Sequence, residues 1–507
     1  MDFSATRHVR VAIIGAGFSG LGAAIRLTQE GETDFLVFER AQEIGGTWRE
    51  NTYPGSACDV MSLLYSYSFA PNPNWSTTFG KQPEILQYLR DCADRFGVRP
   101  HIRFEHDVVS ADWDEEAHLW RIDTSGGGYT AQILATGTGY LSDPVKPAIE
   151  GLDSFTGELF HSSGWNHGFD LTGKRIAVVG NGASAVQFIP KVQEKASALD
   201  LYQRTPAWVA PKPDREIPGS QLWLRRNVPG YQGFRRNFNM WGREIVAFMM
   251  GRPKVMEKTL QGAALKHLHA SIQDPVLRDK LTPAYTAGCK RILFSNNFYP
   301  ALNQPNVSVV TDGIARIHGN TIESVDGTRR EVDAIILATG FKATDRPIAH
   351  RIRGNNGLSL ADAWDQDMSA YAGTTVAGFP NLFMFLGPNT ALGHSSQTVM
   401  IEAQITYLLD ALKVMDRKSL ASVSVRPAVQ KAYNTWLDGQ LQGTVWNSGG
   451  CQSWYLDKNG RNPSIWPTYT WTFRNKTKTF DTVSYHLTTT DELRAGKTHI
   501  AAGRNEG

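Results

Sequence analysis

The sequence predicts an α/β chain made of two successive strand–turn–helix units, the second interrupted by a helical insertion. Three observations predict it. The apolar run Val9-Arg10-Val11-Ala12-Ile13-Ile14 leads into the glycine turn Gly15-Ala16-Gly17-Phe18-Ser19-Gly20. The run Arg175-Ile176-Ala177-Val178-Val179 leads into a similar turn, Gly180-Asn181-Gly182-Ala183-Ser184-Ala185. Two near-identical segments, Ile133-Leu134-Ala135-Thr136-Gly137 and Ala334-Ile335-Ile336-Leu337-Ala338-Thr339-Gly340, close the two units.

The first unit is read over residues 9–39. Its helix carries Leu21, Ala24, Ile25 and Leu27 at helical spacing, and Asp34 to Glu39 is its second strand. Alternating segments at Val108–Asp114, Leu119–Thr124 and Tyr129–Ala135 predict a β-meander turned at Ser125-Gly126-Gly127-Gly128. A Pro- and Gly-containing linker spans 141–151. The second unit spans 152–340, with a basic, aromatic, helical insertion over about 220–283. That insertion is either a packed subdomain or a lid over an apolar substrate. A long helix from Ser395 to about Asp416, capped by Ser395 or Ser396, carries an apolar stripe including Val399, Ile405, Leu408 and Leu412. The predicted division is 1–150, 151–340 and 341–507, with the first domain split around the second.

Each glycine turn has a physical reading. The first glycine allows a tight turn, the second lets a pyrophosphate approach the helix N-terminus, and the third small residue permits close helix–strand packing. Together they identify two Rossmann-like dinucleotide-binding domains. Nineteen residues beyond Gly20 stands Glu39, and nineteen beyond Ala185 stands Arg204, followed by Thr205. An acid there accepts hydrogen bonds from a free ribose diol, whereas an arginine favours a 2′-phosphate. The two nucleotides therefore differ, most simply FAD in the first unit and NADPH in the second.

Bulk properties exclude other classes. At 507 residues, 41% hydrophobic and 20% charged, the composition is that of a globular protein of two or three domains. A net charge of +3 is too small to argue for nucleic acid or an anionic membrane. Met1–Arg10 lacks the apolar core of a signal peptide, and no stretch is long enough to span a bilayer. Cys58, Cys92, Cys289 and Cys451 are far apart with no C-x-x-C pair, which predicts a reduced, cytoplasmic chain without a metal site.

Two longer segments narrow the chemistry. Gly45-Gly46-Thr47-Trp48 precedes Tyr53-Pro54-Gly55-Ser56-Ala57-Cys58-Asp59, and Phe155-Thr156-Gly157-Glu158-Leu159-Phe160-His161 runs on to Trp165. By residue type, Asp59 is either a turn former or a site carboxylate. His161 is either a structural hinge residue or a catalytic one. The frame F-x-G-x-x-x-H-x-x-x-W resembles the fingerprint of type I Baeyer–Villiger monooxygenases, and G-G-x-W-x-x-x-x-Y-P-G-x-x-x-D resembles the second fingerprint of that family. N- and S-oxygenating flavin monooxygenases share the first frame but carry Tyr or Phe where Trp165 stands. The resemblance covers about residues 8–470. One departure is Asn166, where the fingerprint has Pro or Asp, which touches the stiffness of the linker.

The resemblance implies roles for individual residues. In Gly288-Cys289-Lys290-Arg291-Ile292-Leu293, Arg291 matches the catalytic arginine and Lys290 a 2′-phosphate contact, while Asp59 matches the aspartate paired with the arginine. Glu39, Thr47, Trp48, Asp59, Tyr65 and Val108 match FAD contacts beside the first glycine turn. Ala57–Asp59, Gly180–Val186, Arg204 and Thr205 match NADP contacts, and Trp454 resembles a tryptophan near the nicotinamide ribose. His161 is expected to couple domain rotation to cofactor binding. The activity implied is NADPH- and O2-dependent conversion of a ketone to an ester or lactone, through a flavin C4a-peroxide and a Criegee adduct. The rivals are an N- or S-oxygenating monooxygenase, a disulfide reductase, which needs a close cysteine pair, and a nucleotide-binding redox sensor without oxygenase activity. The ketone and the oligomeric state are not readable from the sequence.

Overall fold

The computed structural model describes residues 7–365 and 367–495. The expectations placed on Met1–Thr6 and on the last residues of the tail lie outside this range. Strand β1 (Arg7–Ile14) runs into helix α1 (Phe18–Gln29) and returns as β2 (Phe35–Phe38), parallel to β1 with Ile14 opposite Phe38. A short antiparallel pair, β3 (Ala57–Met61) and β4 (Phe79–Lys81), stands apart from the main sheet. Next come β5 (Ile102–Arg103), β6 (Val108–Asp114), β7 (Leu119–Thr124) and β8 (Gly127–Thr136).

The meander expected on the nucleotide fold is continuous with it. β8 pairs antiparallel with β7 on one edge and parallel with β1 on the other. One ten-residue strand thus ends the meander and forms the closing segment before Gly137. Its burial pattern changes accordingly: it alternates at first and is fully buried over its last four residues, as a central parallel strand requires.

The second sheet contains β9 (Glu158–His161), β10 (Arg175–Val179), β11 (Ala198–Tyr202), β12 (Val307–Val310) and β13 (Ala334–Leu337), in the order β12-β11-β10-β13-β9. Helix α2 (Ala183–Gln193) follows β10. The segment read as a linker around His161 is therefore an edge strand, pairing parallel with β13 at His161–Leu337. The insertion folds into α3 (Gly219–Asn227), α4 (Tyr231–Met250), α5 (Gly262–Ser271) and α6 (Pro275–Leu281). The chain then returns to the first sheet: β14 (Ile352–Arg353) pairs with β6 and β15 (Leu382–Met384) with β8. Helix α7 (Gln397–Arg417) packs on α1, and Ser396, not Ser395, caps it by accepting from the Thr398 N–H.

One expectation is overturned. Cys289 and Cys451 form a disulfide, with their Cα atoms 6.1 Å apart across a sequence separation of 162. Spacing in the sequence hid this pair because only the fold brings the two segments together. Cys58 and Cys92 are free and buried. Among the described residues no helix is long and apolar enough to cross a membrane.

Candidate active site

Both glycine turns are built alike. Gly15 has φ +95°, and a Cβ there would stand 2.9 Å from the Gly137 carbonyl oxygen. Gly180 has φ +103°, and its Cβ would stand 2.5 Å from the Ala338 carbonyl oxygen. Each turn is thus pressed against the end of its closing strand, in a conformation that favours glycine. Helices α1 and α2 have Gly17 and Gly182 as N-caps, and no side chain caps either. Their first N–H groups are left for an outside acceptor, the arrangement that binds pyrophosphate.

At the first turn an elongated cavity runs from Gly15, Gly17, Phe18 and Ser19, past Glu39, Thr47, Trp48, Tyr65 and Val108, to Gln397 and Thr398 at the start of α7. At Gly46 the backbone passes so close to the turn that a Cβ would stand 3.1 Å from Gly17 Cα. The Glu39 carboxylate is buried and accepts from the Ala16 and Ala41 N–H groups at 2.8 and 3.0 Å, and Arg49 joins it at 3.2 Å. Trp48 donates its indole N–H to the Tyr65 hydroxyl at 3.0 Å. Gly20 is not on the wall; it faces its own turn, where a Cβ would collide with the Gly15 carbonyl. The donor-rich helix end, the carboxylate and the flat aromatic wall fit an adenine dinucleotide bearing a flavin.

Arg291 and Asp59 are 232 residues apart and meet in a two-pronged ion pair, Nε–Oδ2 at 2.7 Å and Nη2–Oδ1 at 2.8 Å. Both side chains are partly exposed, 30% and 25%. Burial pushes the Asp59 carboxyl up, but the Arg291 charge and hydrogen bonds outweigh this and hold it below the ordinary aspartate value. Arg291 is raised by the Asp59 charge against the effect of burial and is a permanent cation. Its Nη1 also reaches the Leu392 carbonyl at 3.4 Å, in the loop that leads to α7. Asp59 sits on Arg291 and is not on the wall of the elongated cavity.

The second nucleotide site is more open. Gly182, Ala183, Arg204 and Thr205 are exposed, Ser184 is half-buried, and Ala185, in the first turn of α2, is fully buried. Asn181 donates to the Thr205 carbonyl at 2.9 Å and to Gln203 at 2.8 Å, which pins the loop. The Lys290 ammonium is lowered by burial and then by the Arg204 charge, so two cations share this corner. The loop from Tyr53 to Ala57 rides on α2: Ala57 N–H donates to Gln187 Oε1 at 2.7 Å, and a Cβ on Gly55 would stand 2.8 Å from the Gln187 carbonyl oxygen. Trp454 stacks on Tyr140 with ring centroids 5.8 Å apart.

The segment Phe155–Trp165 packs as part of the second unit. A Cβ on Gly157 would stand 2.5 Å from the Asp333 carbonyl oxygen and 2.6 Å from the Phe155 ring. Trp165 is buried against Phe160 and Phe188, both at 5.2 Å. His161 Nδ1 accepts from Ser163 N–H at 3.1 Å, and its ring meets Phe341 edge-on. Burial lowers its pKa, which favours the neutral imidazole. Asn166 accepts from the Gly168 N–H at 2.9 Å and donates to Glu158 at 2.7 Å, and so fixes the turn where the fingerprint has Pro or Asp.

Sequence reasoning missed several residues. Arg49, Arg346 and Gln397 line the elongated cavity. Burial lowers Arg346 to about 10. His394 is buried with neither ring nitrogen hydrogen-bonded among the described residues, and burial, then Arg243, pushes it down to about 3. No motif marks these positions. A second cavity of about 340 Å³ lies between Met61, Phe79, Phe294 and the α4 residues Phe238, Arg243 and Val246.

Residues 8–345 match the flavin-binding monooxygenase-like family. A Baeyer–Villiger monooxygenase of Pseudomonas aeruginosa is 49% identical over 496 residues, covering 96% of this chain and 93% of its own. A Baeyer–Villiger monooxygenase of Streptomyces coelicolor is 48% identical over 482 residues, covering 95% and 93%. Among solved structures, OTEMO in complex with FAD and NADP superposes with a TM-score of 0.85 at 27% identity, over 95% of this chain and all of that one. Closed cyclohexanone monooxygenase gives 0.82 at 27% identity, over 96% of this chain and 100% of that one. The chain belongs to the flavin-binding monooxygenase-like family and, within it, to the Baeyer–Villiger monooxygenases.

Proposed function

We propose that this protein converts a ketone, O2, NADPH and a proton to an ester or lactone, NADP⁺ and water. FAD is the bound cofactor of the first nucleotide unit, residues 1–150 with 341–507, and NADPH of the second, residues 151–340. The chemistry that bound FAD supplies is acceptance of the nicotinamide hydride and activation of O2. The observation that carries the reading is the Arg291–Asp59 pair, set where β3, the loop before α7 and the segment after α6 converge.

A fixed guanidinium stabilises negative charge that develops on oxygen during insertion, and it does so without reorganising in the reaction. Asp59 holds the plane of that guanidinium through two hydrogen bonds and tempers its charge. Arg204 and Lys290 hold the 2′-phosphate of NADPH, with Thr205 beside them. The α1 N-terminus holds the FAD pyrophosphate, Glu39 the ribose side, and Trp48 with Tyr65 the flat ring. Trp454, stacked on Tyr140, covers the nicotinamide side. His161, neutral and tied to Ser163, transmits position between β9 and the chain beyond Gly340 and moves no proton.

A ketone panel with NADPH tests the proposal, with products scored for a gain of one oxygen as ester or lactone. A thioether serves as competitor. Thioether oxidation with every ketone left intact would replace this reading with an N- or S-oxygenating one.

A further inference from the structure

Helix α4 carries apolar side chains on two faces: Met240 and Met250 are buried in the cores, and a second set faces outward. Phe234, Phe238, Trp241, Ile245 and Phe248 are 43–66% exposed. At about 100° per residue they occupy a stripe roughly 80° wide along one face. The inward side buries Met240 and Met250 and, with them, polar groups. Arg236 donates to the carbonyls of Leu63, Leu64 and Ser66, and the buried Glu244 accepts from the Thr470 N–H. Turning the aromatic face inward would expose these bonds, so the outward stripe is fixed by packing. Trp223 on the neighbouring α3 is 60% exposed.

The charge of this stretch is nearly all of one sign, although Arg236 is turned inward and lies 3.6 Å from Glu402. Residues 217–256 hold seven Lys and Arg and one acid, Glu244, which is buried. That leaves +6 in this stretch and −3 in the rest of a chain whose net charge is +3. The cations stand at the rim of the apolar surface: the Arg252 guanidinium lies 3.8 Å over the Phe248 ring and Arg235 lies 6.0 Å over Phe238. A second copy docked on this face about a two-fold axis would set the same cations against themselves with no exposed acid in the stretch to neutralise them. An apolar stripe rimmed by arginines matches a lipid interface instead, with rings at the acyl boundary and guanidiniums at phosphates.

We propose that α3 and α4 seat this protein on anionic phospholipid membranes, with Phe234, Phe238, Trp241, Ile245 and Phe248 entering the headgroup layer. The attachment is peripheral, since no described helix is long and apolar enough to cross a bilayer. It is a property of the insertion and does not depend on the oxygenation chemistry.

Vesicle flotation of the full-length holoenzyme tests it, using phosphatidylcholine vesicles with and without phosphatidylglycerol. The protein should float with the anionic vesicles, less with phosphatidylcholine alone, and be released by salt. Phe234→Ser/Trp241→Ser and, separately, Arg235→Glu/Arg252→Glu should each lower the bound fraction on the order of tenfold. Both variants should keep the FAD absorbance and melting temperature of the wild type. Equal binding to neutral and anionic vesicles, or binding unchanged in both variants, would overturn the proposal. So would a wild-type dimer in gel filtration that Phe234→Ser/Trp241→Ser dissociates, which would assign the stripe to a second copy.

Discussion

Arg291 and Asp59 show how much a pair differs from its members. Alone, a Lys-Arg dipeptide is a solvated turn and a loop Asp is a turn former, but at 2.7 and 2.8 Å they make one oriented charge. Arg291→Ala should still oxidise NADPH, now releasing hydrogen peroxide, while ester formation falls on the order of 10²–10³-fold; product and peroxide assays read the two outcomes separately. The depressed Asp59 pKa fixes the sign of its pH dependence. A carboxyl lowered on folding stabilises above its unfolded pKa of about 3.9, and that stabilisation is lost as pH falls through the lower folded value. Urea unfolding of the wild type against Asp59→Asn should show a constant gap from pH 7 to 5 that shrinks below pH 4. Arg204→Ala should weaken NADPH by about 1–3 kcal/mol and leave NADH unchanged, as measured by the two KM values; equal losses would remove the 2′-phosphate role.

At the scale of elements, the two glycine turns share a plan and differ at the third small residue. A Cβ on Gly20 would collide with the Gly15 carbonyl, so α1 lies close on its turn. The second turn carries Ala185 at the matching place, fully buried, so α2 stands off enough to admit a methyl group. Gly20→Ala should therefore destabilise by roughly 1–3 kcal/mol through overpacking and release FAD, read by denaturant melts and flavin fluorescence. Ala185→Gly should cost only about 0.5–1 kcal/mol. Helix α4 has two apolar faces: Met240 and Met250 join the cores, while the hydrogen bonds of Arg236 and Glu244 fix which face lies inward and leave the aromatic stripe outward.

Across the whole molecule, the chain leaves the first sheet after β8, builds the second, and returns through β14 and β15. The Cys289–Cys451 bond ties the segment beside Arg291 to the loop that carries Trp454. Cys451→Ser, or reduction of the wild type, should lower stability by about 2–5 kcal/mol, seen as a shift in the denaturant midpoint with one more alkylatable thiol pair in mass spectra of the reduced protein.

The sequence by itself determined the two nucleotide units, their closing strands and the opposite signs of Glu39 and Arg204. These features are local: a glycine turn, a strand and a residue at fixed spacing each fit within about forty residues. It also placed the helical insertion from its basic and aromatic composition and the long helix from apolar periodicity. Only the tertiary structure decided that β8 joins the meander to the parallel sheet, that His161 lies on an edge strand, and that Asp59 faces Arg291. It alone paired Cys289 with Cys451, buried His394, set Arg346 half-buried on the cavity wall, and turned the aromatic stripe of α4 outward. The physical reason is the same in each case. Contacts across a hundred or more residues leave no period or spacing in the chain, and burial of a polar group depends on what folds over it.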